Sequence, residues 1–541
     1  MTTAGQGGDG TTTPALAPAR RKSAAPYPKG QYPKGQYPEG AKRRIITGAT
    51  ILSTVMYALD GTIANVALPH MQASVSASQE QIVWVLTSFL IATAIATPLS
   101  GWLADRFGRK RIMLVSLAGF TLASIACGLS VNLQELVLFR VVQGFCGAGL
   151  VPLAQSTLLD INPPAQHGKA MALYGMGSIL GPILGPTLGG YITDTFDWRW
   201  IFFINVPFGI IAFLGLSGFM QEAKADKLPK FDFMGFACLS LFIGSFQLML
   251  DRGQQQDWFN SSEIWIEATI AAVFFYFTIV HMWSAVHPFV RPGVFKDRNF
   301  STGMAIGVQL GLLVYGVAAL LAPMLQQLMG YPVMLAGLAT MPRGVGTMIG
   351  MYGVGQVIGR IDPRLLVMLG LLLSGGSMYM FSGMSLEMDS HLILVSGFIQ
   401  GLGSGLIFVP ITTLMFSTLE PRYRNEGAAL SSLSRSLGAA IGISILQTLT
   451  IRNTATVQSR LVEEVRPDNP VLALRMPEFD FDTPVEVARM MGQVVRQATM
   501  VAYTDAFWFL SLLSMSMIPL LLLMRPMKRA KMDEPLHIVM D

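Results

Sequence analysis

The sequence has little charge, little cysteine and little histidine for its 541 residues, and each shortage excludes a class of protein. Only 13% of the residues are charged and 52% are hydrophobic, which excludes a set of water-soluble domains and predicts a polytopic membrane protein. The three cysteines lie in apolar runs without a CxxC pair, so neither a disulfide framework nor a metal site is predicted. The sequence contains no GxxxxGK[ST] and no HExxH motif, so ATP hydrolysis and metalloprotease chemistry are unsupported.

The distribution of positive charge indicates membrane topology. A net charge of +5 would suit nucleic-acid binding, but most basic residues stand in short loops between apolar runs, so no nucleic-acid partner is predicted. Apolar runs of about 20 residues, the length that crosses a lipid bilayer, occur fourteen times. They lie near residues 45–69, 82–104, 112–131, 135–159, 168–192, 199–220, 233–251, 264–284, 300–325, 334–358, 365–384, 391–416, 427–451 and 504–524.

The fourteen runs divide into groups of six, two and six. Glycines at corresponding places in the outer groups, Gly101 with Gly355 and Gly168 with Gly427, are 254 and 259 positions apart. Because such repeated halves occur in secondary transporters, we predict an all-α membrane protein with two six-helix bundles plus two extra transmembrane helices. The predicted domains are a disordered cytoplasmic tail at 1–44, a first bundle at 45–220, the extra helices at 221–299, a second bundle at 300–525 with an external loop at 452–503, and a cytoplasmic tail at 526–541.

Two charged residues lie inside predicted membrane spans. Asp60 stands in LDGTIANVALP, residues 59–69, and Arg140 stands near the start of the fourth run. Charged side chains inside a membrane are costly and normally mark an ion or substrate pathway. Asp60 is about 13 Å and Arg140 about 8–9 Å from the same membrane face by helical rise, so the two side chains can meet. The alternatives are that Asp60 only caps a kink and that Arg140 extends to the headgroups.

Two further motifs stand out, one at the end of the second run and one within the fifth run. GWLADRFGRKR, residues 101–111, combines a glycine that permits close helix approach with an acid and a basic cluster. GSILGPILGPTLGG, residues 177–190, repeats glycine at every fourth position, which gives a groove for another backbone, and its two prolines leave carbonyl groups unpaired.

With fourteen runs, the LDGTIANVALP segment and these two motifs, the chain resembles the fourteen-spanner drug:proton antiporters of the major facilitator superfamily, EmrB/QacA branch, over about residues 45–525. The resemblance implies a proton-coupled multidrug efflux transporter in the inner membrane that uses the proton gradient and no cofactor. It implies that Asp60 and Arg140 take part in proton coupling. It also implies a gating loop with Gly101, Asp105, Arg106, Gly108 and Arg109, and an antiporter helix with Gly177, Gly181, Pro182, Gly185, Pro186 and Gly189.

The predicted ligands are small-molecule drugs, and Asn65, Gln143 and Arg343 are predicted to line the substrate cavity. A basic residue facing that cavity should favour anionic or neutral phenolic compounds; alternatively, Arg343 only binds a backbone carbonyl. EmrB-like members of the family work with a periplasmic adaptor and an outer-membrane channel. The resemblance therefore implies an EmrA-like membrane fusion protein and a TolC-like channel as partners, with 452–503 either a docking surface or only a solvated loop.

Three other functions compete with drug export. Within transport, the alternative is an exporter of one endogenous metabolite or siderophore. A membrane-embedded sensor that transports nothing would need a sizeable cytoplasmic output domain, and the short predicted internal loops argue against it. An integral-membrane enzyme would need a clustered catalytic or metal-binding set, and none is apparent in the sequence.

Overall fold

The computed structural model describes residues 37–163, 166–221, 231–358, 360–388, 390–475 and 479–526. Within these ranges every regular element is helical, and thirteen helical segments are long and apolar enough to cross a membrane. The remaining predicted run, 334–358, forms a helix of 25 residues that carries Pro342 and Arg343. The predicted all-α membrane fold is confirmed, while most of both predicted tails lies outside the described residues.

The first bundle contains six spans, of which two are interrupted. The fourth span breaks after Gly147, and the sixth breaks after Phe203. The helices are α1 Gly40–Ser74, α2 Gln79–Ile82, α3 Trp84–Phe107, α4 Arg109–Leu129, α5 Leu133–Gly147, α6 Leu150–Ile161, α7 His167–Thr195, α8 Trp200–Phe203 and α9 Asn205–Phe219.

Two extra spans and the second bundle follow. The extra pair packs together and against the first bundle through α3 and the second bundle through α16. The helices are α10 Phe233–Arg252, α11 Ser262–Ser284, α12 Arg298–Pro323, α13 Val333–Val357, α14 Pro363–Ser382, α15 His391–Ser417, α16 Arg424–Glu463, α17 Pro470–Arg475 and α18 Pro484–Ser516.

The segment 452–503, predicted as an external loop with helical pieces at 457–465 and 485–500, is largely helical. Helix α16 has 40 residues and α18 has 33, so at 1.5 Å per residue they are about 60 and 50 Å long. Both exceed the roughly 30 Å of a bilayer core, and the surplus forms a helical hairpin. We call this end of the molecule the hairpin end, and the opposite end, with the 101–111 loop, the basic end.

The two halves make equivalent contacts at the basic end. A Cβ on Gly101 of α3 would lie 3.1 Å from the carbonyl oxygen of Asn425 at the start of α16. At the corresponding place, a Cβ on Gly355 of α13 would lie 2.9 Å from the Cβ of Ala172 in α7. These paired close approaches agree with the repeat inferred from glycine spacing.

The buried apolar side chains also show where the bundles join. The largest cluster includes Phe120 and Leu158 of the first bundle together with Val354 and Ala428 of the second. Toward the hairpin end each bundle has its own cluster, one around Ile63 and the other around Leu320. The bundles are therefore joined most extensively toward the basic end, although α7 and α13 stay in contact along much of their length.

Candidate functional site

Asp60 and Arg140 form an ion pair inside the first bundle. The Arg140 Nη1 atom lies 2.6 Å from Oδ2 of Asp60, and both side chains have no exposed surface. Their meeting is the one expected from depth alone, because α1 and α5 carry them to the same level of the bundle. Their role in proton coupling stays a prediction.

Two amides complete the coordination of the carboxylate. Gln143 Nε2 and Asn205 Nδ2 each donate to Oδ1 of Asp60 at 2.8 Å. Asn205 was not predicted as a site residue; the available signal was an uncharged polar residue in a strongly apolar span. Gln143, predicted to line the substrate cavity, is fully buried and belongs to this Asp60 cluster, which we define as Asp60, Arg140, Gln143 and Asn205.

The guanidinium of Arg140 is held on several sides. Its Nε donates to the carbonyl of Val85 at 3.1 Å, and its Nη1 also donates to Gln143 Oε1 at 2.9 Å. Its Cζ lies 4.1 Å from the ring centroid of Phe89, a cation–π geometry. Nη2 is buried without a hydrogen-bond partner among the described residues. The guanidinium is thus fixed toward Asp60, and the two N–H donors of Nη2 have no partner among the described residues.

This arrangement pairs a carboxylate with three donors and keeps water away from it. Asp60 accepts hydrogen bonds from Arg140, Gln143 and Asn205. Since the four side chains of the Asp60 cluster are at most 1% exposed, a proton reaches Asp60 only after the cluster opens. The cluster therefore combines a buried carboxylate with a counter-ion whose distance depends on the positions of α1 and α5.

A second polar network lies at the basic end. Arg109 donates to Asp160 at 2.5 Å and to Asn425 Oδ1 at 2.7 Å. Arg424, from the second bundle, pairs with the same Asp160 at 2.7 Å. Asn425 in turn donates to Asp105. Asn425 of the second bundle therefore joins the predicted gating residues Asp105 and Arg109 of the first. Asp160 is a partner that sequence reasoning missed.

The other members of the predicted gating loop have different surroundings. Gly108 has φ +94°, a conformation that favours glycine, and it allows the sharp turn between α3 and α4. Arg106 is exposed and stacks on Trp102 at 5.3 Å. Gly101 lies directly against Asn425. Arg106 thus does not join the network, whereas the two glycines shape the backbone around it.

The predicted antiporter helix forms the groove that its spacing predicts. Its glycines Gly177, Gly181, Gly185 and Gly189 all face α1. A Cβ on Gly181 would lie 2.5 Å from backbone atoms of Ala58 and Leu59, and the Thr62 hydroxyl donates to the Gly181 carbonyl at 3.2 Å. Pro182 and Pro186 lie within the same helix. This contact fixes the position of the segment of α1 that carries Asp60.

The remaining predicted cavity residues have accessible surface. Asn65 is exposed near the hairpin end of α1, and Arg343 of α13 is half-buried. One Nη of Arg343 donates to the carbonyl of Val314, which is the backbone contact considered as the alternative. Among the described residues Arg343 forms no ion pair. Four other N–H donors of the guanidinium remain for a ligand.

A second cation, which was not predicted, lies between the bundles. Arg435 of α16 has its Cζ 5.7 Å from the ring centroid of Phe408, and Phe408 stacks on Tyr174 of the first bundle at 6.2 Å. Within the described part of the chain, no group of three or more His, Cys, Asp or Glu side chains is arranged to hold a metal ion.

Comparison with known proteins shows to which family the chain is related. The pattern of the Major Facilitator Superfamily matches residues 50–443. The chain is 36% identical over 470 residues to the multidrug export protein EmrB of Escherichia coli K12, covering 86% of this chain and 92% of that protein. It is 35% identical over 480 residues to the fatty acid resistance protein FarB of Neisseria gonorrhoeae, covering 88% and 94%.

Solved structures agree on the fold. The human organic anion transporter MFSD10 matches with a TM-score of 0.55 at 14% identity, over 88% of this chain and all of that chain. The proton:xylose symporter XylE matches with a TM-score of 0.54 at 13% identity, over 88% and 96%. The chain therefore belongs to the major facilitator superfamily, among the EmrB-type proteins, and is a multi-pass membrane transporter rather than an enzyme.

Proposed function

We propose that this protein is a proton-coupled multidrug exporter that moves amphipathic toxic compounds across the inner membrane, with both termini in the cytoplasm. The observation that carries the proposal is the buried ion pair between Asp60 and Arg140, 2.6 Å apart, in a chain whose relatives include the multidrug export protein EmrB. The basic end would face the cytoplasm, because basic loops are retained there.

Proton coupling follows from the chemistry of the Asp60 cluster. In the conformation described, three donors bind the Asp60 carboxylate beside Arg140. When substrate shifts α1 relative to α5 and separates Asp60 from Arg140, the isolated carboxylate takes up a proton from the external side. The neutral form then makes the return step, because moving a bare charge through the membrane field costs about 2.3 kcal/mol per 100 mV. Re-forming the ion pair releases the proton inside.

Efflux in a host lacking its own drug exporters tests the proposal. We expect accumulation of a fluorescent amphipathic dye to fall when the protein is expressed, and to return to the control level when a protonophore collapses the proton gradient. Efflux that persists after collapse would refute proton coupling. A protein that moves no member of a dye and drug panel would contradict multidrug export and favour a single endogenous substrate.

Two guanidinium groups of the second bundle favour anionic substrates. Arg343 and Arg435 lie in the second bundle, and neither forms an ion pair within the described residues. Tyr57 and Phe408 are half-buried aromatic residues of the two bundles, and Phe408 lies beside Arg435. A carboxylate or phenolate on an apolar body would pair with a guanidinium and pack on these rings. The name of the relative FarB, a fatty acid resistance protein, agrees with such a substrate.

We expect Arg343→Ala to reduce efflux of a weakly acidic amphipath, such as a medium-chain fatty acid, by about tenfold, since a hydrogen bond to a charged group contributes about 1.5–3 kcal/mol. Efflux of a quaternary ammonium dye should be unchanged or faster. Arg343→Lys, which keeps the charge, should retain part of the acid transport. Equal loss for acid and cation would show that Arg343 supports the fold rather than substrate choice.

The hairpin end offers a docking surface for a periplasmic adaptor of the EmrA type, which would connect the exporter to a TolC-like channel. The hairpin extends beyond the bilayer thickness on both helices. Near its tip Leu474 and Val485 expose 81% and 76% of their surface. Exposed apolar side chains outside a membrane-spanning region are typical of a surface that binds another protein.

Deleting residues 457–496 and closing the gap with a Gly-Ser turn should spare the bundles but weaken recovery of a co-expressed adaptor. Because Met490 and Val494 are buried, the finer variant is Leu474→Ser with Val485→Ser, which changes only exposed positions. Pull-down from detergent extracts measures the effect, with a single symmetrical size-exclusion peak as the check on folding. Full adaptor recovery by both variants would refute the proposed surface.

A further inference from the structure

The segment that links the extra helix pair to the second bundle, residues 285–297, crosses the basic end of the molecule. Its Arg291 Nε lies 2.6 Å from Oε2 of Glu426 at the start of α16, and its backbone N–H donates to Oε1 of the same carboxylate at 2.6 Å. Its Nη2 lies 3.5 Å from Oδ2 of Asp105 in α3. One side chain outside both bundles thus touches a carboxylate on each.

Arg291 balances the charge of the basic end. The network across the interface contains three carboxylates and three guanidiniums, and Asp160 already serves both Arg109 and Arg424. That leaves Asp105 and Glu426 with Arg291 as their shared ion-pair partner within the described residues. Removing this guanidinium would leave two largely buried carboxylates of like charge on opposite bundles, which repel in a low-dielectric environment.

The 285–297 segment is fastened to the extra helices at its other end. The Phe289 N–H donates to Asp232 Oδ2 at 2.9 Å, and Nε2 of His281 lies 2.8 Å from the same oxygen. Burial raises the pKa of Asp232, but hydrogen bonds from the N–H groups of Gly235 and Phe289 and from His281 outweigh burial and hold that pKa below its ordinary value. The anchor is therefore a carboxylate that stays ionised at neutral pH.

Aromatic side chains connect the 285–297 segment to the gating loop as well. The Phe289 ring lies 5.8 Å from Phe231, and Phe231 lies 4.6 Å from Trp102 between the centroids. On the opposite side, Arg291 stacks over Tyr423 at 5.0 Å, and a Cβ on Gly293 would lie 2.5 Å from the Tyr423 hydroxyl. The 285–297 segment thus contacts Tyr423, the residue that precedes α16.

We propose that Arg291 is a positioning residue of the transport cycle, which holds the two bundles together at the basic end and thereby makes the extra helix pair part of the closure. Opening that end requires Arg291 to leave Asp105 or Glu426, so the linker must move with one bundle. The extra helices, to which this segment is fastened, then take part in the closing contact and are not a passive addition to the fold.

Cysteine labelling of purified protein tests this without measuring transport, so failure of the proposed function and of this inference are distinguishable. The background replaces the three native cysteines with alanine. The first reporter is Ala428→Cys, at a fully buried position one turn after Asn425. The second is Asn65→Cys, at an exposed position toward the hairpin end. A hydrophilic maleimide measures the labelling rate of each.

We expect Arg291→Gln to make labelling of the Ala428→Cys reporter about tenfold faster, the size expected for loss of a charge-assisted hydrogen bond, and labelling of the Asn65→Cys reporter slower. Glu426→Gln added to Arg291→Gln should restore slow labelling, because one of the two repelling charges is gone. Arg298→Gln is the matched control, since Arg298 is exposed on the following helix.

Gly293→Ala provides a second route, because its Cβ disturbs the contact between residues 285–297 and Tyr423 without changing charge. It should shift both reporters in the same directions as Arg291→Gln. Unchanged labelling in Arg291→Gln and Gly293→Ala would overturn the proposal. Faster labelling of both reporters would also overturn it, because that result indicates general loosening rather than a shift from one closed end to the other.

Discussion

Asp60→Asn is expected to remove gradient-driven efflux while leaving a protein that reaches the membrane and binds substrate. The amide keeps the shape of the side chain but neither carries a charge nor takes up a proton, so the coupled step has no proton carrier. The gradient therefore no longer drives export, and dye accumulation should equal that of cells without the protein. Binding is measured separately on purified protein, from quenching of tryptophan fluorescence by the substrate.

Three variants make this result specific. Asp194→Asn is the matched control, because Asp194 is exposed near the end of α7, and it should leave efflux unchanged. Arg140→Ala should impair the same step as Asp60→Asn, since it leaves a buried carboxylate without its counter-ion. Asp60→Glu, which keeps a titratable group, should retain part of the coupling. Wild-type efflux and pH dependence in Asp60→Asn would place proton coupling elsewhere.

The Asp60 pair was predictable because it depends on only two quantities. The length of an apolar run gives the depth of each residue in the membrane, and the cost of an isolated charge requires a partner at that depth. Both can be counted along the chain. The groove on α7 was predictable for a similar reason, because a glycine at every fourth residue places all the small side chains on one face.

The rest of the site depends on which helices touch, and spacing along the chain does not contain that information. Asn205 reaches Asp60 from 145 positions away, and Asn425 reaches Asp105 from 320 positions away. Asp160 lies at the end of an apolar span, where the sequence alone is equally consistent with an acid exposed to water at the membrane surface. Gln143 binds Asp60 and Arg140 here, and because amides serve ligands and buried charges equally well, its place in the substrate cavity stays a prediction.

The hairpin illustrates a different limit. Polar residues from 452 onward indicate that the chain leaves the membrane, but a helix does not have to end where the bilayer ends. Buried residues of α18 such as Met490 and Val494 provide the packing that sustains the helix beyond the bilayer. Apolar periodicity outside the spans is weaker than within them. The predicted start of the loop therefore marks where the chain leaves the membrane, not where the helix ends.

Gly181→Val is expected to prevent correct assembly of the first bundle. A Cβ at this position would lie 2.5 Å from the backbone of Ala58 and Leu59, and a backbone cannot move aside as a side chain can. Inserting atoms into a close-packed contact typically costs about 1–3 kcal/mol and sometimes more, and two further methyl groups place this case at the upper end. Purified protein should lose thermal stability, and efflux should fall with it.

Graded variants at the same contact separate this cause from general sensitivity of the helices. Gly181→Ala should give a smaller loss of the same kind, and Ala58→Gly should not rescue it, because the obstructing atoms are main-chain. Gly185→Ala meets mainly the Thr62 side chain, at 2.2 Å, so Thr62→Gly should rescue that variant in part. Gly48→Val, on α1 where a Cβ would meet nothing within 4 Å, should be tolerated. If Gly181→Val assembles and transports as well as Gly48→Val, the backbone contact between α1 and α7 does not fix the position of Asp60.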